Sequence, residues 1–172
     1  AAVREQLPEL GPNDLLVEPS PRESMPAIGL AAAILERRDP DAVLGSFAAD
    51  QVVGDTSVFE DTVRQAVEVA RQGYLVTVAI RPTYPSTGFG YIRAGSNLGI
   101  AGAPDATIVK AFVEKPDGPT AQAYVATGEY AWNAGMFVVR AATLMEMIEH
   151  YQPRLAEYLR IIADNPFRLS EL

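Results

Sequence analysis

The clearest alternation of apolar and polar positions lies in Thr107–Asp117, TIVKAFVEKPD. Ile108, Lys110 and Phe112 fall on one side, and Val109, Ala111 and Val113 on the other. A period of two with β-branched residues and no glycine predicts a strand. Pro116 has no N–H to give, so pairing ends there. Glu114 and Lys115 then stand where a buried strand is expected to meet solvent. Two more apolar runs, Ala42–Phe47 and Tyr74–Ile80, predict strands, and the second is apolar on both faces and so expected to be central. Leu15–Val17 predicts a short strand. Tyr130–Arg140, YAWNAGMFVVR, predicts a strand whose apolar run starts only after Trp132, Asn133 and a glycine.

Between the strands the period lengthens to that of helices. Val3–Leu10 predicts a short helix stopped by Gly11-Pro12. Pro26–Arg38 predicts a second, with Ser24 or Met25 near its cap and Ile28, Ala31, Ala32 and Leu35 as its buried stripe. Asp39-Pro40-Asp41 is a turn. Val58–Gln72 follows, introduced by Ser57 and Glu60 as a capping box and closed by Gly73. Ala94–Ala106 is a Gly-rich, hairpin-like link. Pro119–Thr127 predicts a short helix closed by Gly128. Two helices finish the chain, the first with Leu144, Met147, Ile148 and Tyr151 as its stripe. The second starts at Pro153 and turns Leu155, Leu159 and Ile162 inward. Strands alternating with helices predict an α/β layered domain with a mostly parallel sheet.

Composition narrows the class. The 172 residues suffice for one domain with a real core, and 48% of them are hydrophobic. No apolar run approaches the length of a membrane helix, and the first residues are charged and polar rather than a secretory signal. Cysteine is absent, which excludes disulfides and thiolate metal sites and fits a cytoplasmic setting. The net charge of −8 and pI of about 4.6 argue against a nucleic-acid footprint. A small anion would need local Lys, Arg, backbone N–H groups or a divalent metal.

Four places carry candidate chemistry. Glu114 and Lys115 join a carboxylate for hydroxyls to an ammonium for a phosphate, or are a solvated strand end. Asp50, at the end of the Ala42–Phe47 strand, is either a metal ligand or the cap of a turn. Thr87–Ile92, TGFGYI, has two glycines around an aromatic, which lets backbone approach a ligand closely. Asn133 suits a sugar hydroxyl, and Trp132 is either a pocket wall or core packing. Arg22 and Ser24 lie in a Pro- and Ser-rich loop. His150, the single histidine, reads as structural at a helix C-terminus.

Together these motifs resemble the sugar nucleotidyltransferases, on their mannose-1-phosphate guanylyltransferase branch. The resemblance rests on Glu18-Pro19 with Pro21–Ile28, on Ala49-Asp50-Gln51, on TGFGYI, on Phe112–Asp117 and on Trp132–Phe137, in the family's order. It implies a Rossmann-like layered domain that transfers GMP from GTP to mannose 1-phosphate, giving GDP-mannose and pyrophosphate with Mg²⁺. It implies further that Asp50 binds the metal, that Glu114, Asn133 and the Gly90 backbone hold the sugar, that Lys115 meets its phosphate, and that Arg22–Ser24 lies near the guanine. The family's Gly-rich phosphate loop and its second metal aspartate are not in this sequence. Residues 1–172 are therefore expected to be an interior part of a catalytic domain, inactive alone. A related nucleotidyltransferase with another sugar or base, and a non-catalytic sugar-nucleotide-binding subunit, stay open as alternatives, as does a homo-oligomer.

Overall fold

The structure is a computed structural model, and it describes residues 2–11, 14–17, 20 and 23–164. In chain order the elements are α1 (Ala2–Gln6), α2 (Ser24–Arg38), β1 (Val43–Ser46), α3 (Thr56–Ala70), β2 (Val76–Ile80), β3 (Tyr91–Asn97), β4 (Thr107–Val113), α4 (Gly118–Thr127), β5 (Tyr130–Arg140), α5 (Ala141–Tyr151) and α6 (Pro153–Ala163). Helix α1 is shorter than its pattern, because Pro8 disfavours helical backbone at the residue before it. The expected strand at Leu15–Val17 does not form.

The long strand β5 organises the sheet. At Phe137 it pairs with both Ser46 of β1 and Thr77 of β2. At Trp132 it pairs with both Ile80 of β2 and Tyr91 of β3. A strand has two edges, so β1 and β3 follow one another along one edge and β2 holds the other. Strand β4 then pairs with the far side of β3.

Every pairing among the described residues is antiparallel, which corrects the expected mostly parallel sheet. Strands β1 and β2 do run in the same direction, joined through α3 as in a crossover. Yet β5 sits between them and runs the opposite way, so they never touch as neighbours. Strand β2 is not central either: it pairs with β5 alone, and Tyr74, Leu75 and Ile80 are exposed. Strand β4, expected to be buried, is the edge, with Ile108, Val109 and Phe112 all exposed.

Helices cover both faces where β1 and β5 lie. Adjacent strand residues point to opposite faces, and β5 shows it directly. Val139 joins Leu30, Ala33, Leu144, Met145, Ile148 and Leu159 in a core against α2, α5 and α6. Val138 joins Ala66 and Ala70 in a second core against α3. Strand β1 repeats the division, with Leu44 in the first core and Val43 in the second. Burying each such aliphatic side chain is worth roughly 1.5–3 kcal/mol. Small residues let α2 pack closely: a Cβ on Gly29 would sit 2.7 Å from Leu159 Cδ1 and 3.0 Å from Ile148 Cδ1. Met145 is buried in this core while Tyr151, expected to face inward, is exposed.

Helix ends follow local chemistry. Asp55, rather than the Ser57 and Glu60 pair, caps α3 by accepting from the backbone N–H groups of Ser57 and Val58 and from the Ser57 hydroxyl. Gly128 ends α4 at φ 67°, a left-handed turn that glycine adopts without a Cβ clash.

Candidate active site

Gly90 is the point where two of the predicted residues, Glu114 and Asn133, meet. Tyr91 lies opposite Val113 on β4 and Trp132 on β5, so one step earlier in β3 the ladder sets Gly90 between Glu114 and Asn133. The Asn133 backbone N–H donates to the Gly90 carbonyl at 2.8 Å. A Cβ on Gly90 would fall 2.7 Å from Glu114 Oε2 and 3.5 Å from Asn133 Cβ. The missing side chain therefore lets the Glu114 carboxylate and the strand carrying Asn133 close in over the buried Gly90 backbone.

Asn133 is held in one orientation. Its Oδ1 accepts from the Thr77 hydroxyl at 2.6 Å and from the Gly135 N–H at 3.3 Å. With the oxygen committed, the Nδ2 amine is the group left to donate to a ligand. The second of these bonds depends on a bulge. Between Thr77 and Ala79 the pairing skips from Phe137 to Asn133, so β5 carries extra residues there. Gly135 at φ 69° makes the turn, as residues in bulges commonly do.

Lys115 is the one residue other than glycine with positive φ among the described residues, at 44°. Neighbouring residues of a strand point to opposite faces. Leaving the strand in this conformation brings Lys115 Nζ to 3.7 Å from Glu114 Oε1. Both heads are exposed, so their mutual attraction is weak and leaves each available to a ligand. Pro116 is buried behind them, and Asp117 caps α4. The Thr120 hydroxyl and backbone N–H hold the Asp117 carboxyl below the usual carboxylate range.

Asp50 belongs to the loop that leaves β1 along the edge of β5, in the gap before β3 takes over that edge. Gln51 ties this loop down: its Nε2 donates to the Ala134 carbonyl at 2.7 Å. Asp50 thus stands beside the Asn133 bulge, exposed, with no hydrogen bond or ion pair joining it to Glu114 or Lys115 among the described residues. Among the described residues no group of three acidic or histidine side chains gathers there. A divalent ion of the Mg²⁺ kind can be held by one or two carboxylates beside phosphate oxygens and water. Ser24 opens α2 and makes no side-chain hydrogen bond among the described residues; Arg22 lies outside them, as do Glu18, Pro19 and Pro21.

Trp132 packs edge-to-face between Tyr84 at 4.9 Å and Phe89 at 5.1 Å. It locks the 81–87 loop and the residue before Gly90 against the strand that carries Asn133. Its Nε1 is buried with no partner among the described residues. Thr77 escaped the sequence analysis, and Gln51 entered it only as part of the Ala49–Gln51 motif, with no role of its own. The signal for Thr77 was a lone hydroxyl within YLVTVAI.

Residues 3–167 match the family model described as nucleotidyl transferase. The chain belongs to the nucleotidyl transferase family. It is 45% identical over 155 residues to the xanthan biosynthesis protein XanB of Xanthomonas campestris pv. campestris strain B100, covering 89% of this chain and 32% of that protein. It is 44% identical over 161 residues to the mannose-1-phosphate guanylyltransferase of Escherichia coli K12, covering 90% of this chain and 33% of that one. The crystal structure of a mannose-1-phosphate geranyltransferase from Thermus thermophilus is similar with a TM-score of 0.80 and 30% identity, covering 99% of this chain and 48% of the other. The chain spans about one third of the length of the curated relatives it matches.

Proposed function

We propose that this chain carries the sugar-phosphate side of a mannose-1-phosphate guanylyltransferase site. GMP passes from GTP to mannose 1-phosphate, giving GDP-mannose and pyrophosphate. Residues 1–172 form part of its catalytic domain, in a cytoplasmic setting. The observation that carries this reading is the row Glu114–Gly90–Asn133 at one strand junction, in a chain 44% identical to the Escherichia coli enzyme.

The reaction is an in-line displacement. An oxygen of the sugar phosphate attacks the α-phosphorus of GTP, and pyrophosphate leaves with the electrons of the broken P–O bond. Such a step needs positioning and charge neutralisation more than a covalent nucleophile. Glu114 accepts hydrogen bonds from mannose hydroxyls, and the Asn133 amine donates to another. Lys115 neutralises the sugar phosphate from the adjoining turn. Asp50 supplies one carboxylate to Mg²⁺, which when bound neutralises phosphate oxygens and aligns them. By the family resemblance, Arg22 and Ser24 serve the guanine.

The test uses the full-length protein carrying this chain. Pyrophosphate release is expected with GTP, mannose 1-phosphate and Mg²⁺ together, and an Asp50→Ala variant is expected to lose it. Equal release with ATP or glucose 1-phosphate would make the chain a related nucleotidyltransferase. Binding of GDP-mannose without any release would make it a non-catalytic subunit.

A further inference from the structure

The surface over Gly90 has an apolar member that the chemistry above leaves unused. Phe112, on β4, precedes Glu114 by two residues, and both side chains reach the Gly90 backbone. Phe112 Cζ is 3.0 Å from the point that a Gly90 Cβ would occupy, beside Glu114 Oε2 at 2.7 Å. The residue is 50% exposed and pairs with no other aromatic ring among the described residues. An exposed phenyl ring thus lies beside the carboxylate of Glu114, with Asn133 across Gly90 from them.

A pyranose offers matching surfaces. Its rim of hydroxyls suits carboxylates and amides, while the C–H groups of one ring face are apolar and suit an aromatic ring. We propose that Phe112 contacts the hexose directly, packing on its C–H face while Glu114 and Asn133 hold its hydroxyls. The contact rests on the guanylyltransferase reading of this site and adds an apolar element to it.

The experiment measures GDP-mannose and GTP binding by titration calorimetry on the full-length protein, as wild type, Phe112→Leu and Phe112→Tyr, with thermal midpoints for each. Leucine keeps apolar bulk and removes the ring; tyrosine keeps the ring. The leucine variant is expected to bind GDP-mannose about three- to tenfold more weakly, with GTP affinity and thermal midpoint unchanged, and tyrosine to stay within about twofold of wild type. Unchanged GDP-mannose binding in the leucine variant would overturn the contact, as would equal losses for both ligands with a lowered midpoint. Wild-type protein that binds GTP but not GDP-mannose would overturn the guanylyltransferase reading itself.

Discussion

Replacing Gly90 by alanine adds one methyl group at the floor of the site. That carbon would stand 2.7 Å from Glu114 Oε2 and 3.0 Å from Phe112 Cζ. Ordinary contact distances make the first approach too short by about 0.7 Å or more. The Glu114 side chain is 57% exposed, so its carboxylate can swing into solvent and the fold loses less than about 1 kcal/mol. The site loses more. A hydrogen bond to a charged group is worth roughly 1.5–3 kcal/mol, so kcat/KM for mannose 1-phosphate is expected to fall about ten- to hundredfold with an unchanged GTP KM. Steady-state pyrophosphate release on the full-length protein, beside a thermal melt, reads both quantities. Glu114→Ala and the Gly90→Ala/Glu114→Ala double variant complete the cycle. If alanine acts by displacing Glu114, it adds little once the carboxylate is gone. Additive losses in the double variant, or a wild-type kcat/KM in Gly90→Ala, would refute the displacement.

Thr77→Val removes the hydroxyl that orients Asn133 while keeping the side-chain volume; the sugar-phosphate KM is expected to rise about three- to tenfold, with the GTP KM as the internal control. The Asp55 cap gives a pH dependence. The Ser57 hydroxyl, the Val58 N–H and the Ser57 N–H hold its carboxyl below the usual range, so the native state favours the ionised form. Its stabilising contribution is complete above the ordinary carboxylate value near 4 and is lost as pH falls through the lowered native value. Asp55→Asn is expected to flatten that part of the acid limb in urea unfolding midpoints measured from pH 6 to pH 3, and an unchanged limb would remove Asp55 from it.

Local signals were enough for most elements. The bounds of β5 follow from its apolar run and its flanks, and Gly128 ends α4 because only a residue tolerant of positive φ closes that turn. Gly90, Glu114, Lys115, Asn133 and Asp50 can each be singled out as candidates from sequence, as a glycine beside an aromatic or as polar residues at strand ends, although a solvated strand end or a turn cap gives the same pattern. Arg22 lies outside the described residues, and Ser24 opens α2 without a side-chain partner among the described residues.

Sequence by itself thus determined most of the strands and helices and which side chains are candidates for chemistry, while β3 (Tyr91–Asn97) lay partly in what reads as a Gly-rich link and the strand expected at Leu15–Val17 does not form. The reason is that capping, turns and amphipathic period act over a few residues. Tertiary structure decided how those segments pair. Pattern cannot show that β5 enters antiparallel between β1 and β2, since the same apolar faces would suit a parallel neighbour. Nor can it show that β1 and β3 share one edge of β5 and leave Asp50 in the gap. The orientation of Asn133 by Thr77, 56 positions away, and the hold of Gln51 on Ala134 exist only once distant strands are in register. The candidate site is a product of that register: an absent Cβ at Gly90, set between a carboxylate and an amide on the two strands beside it.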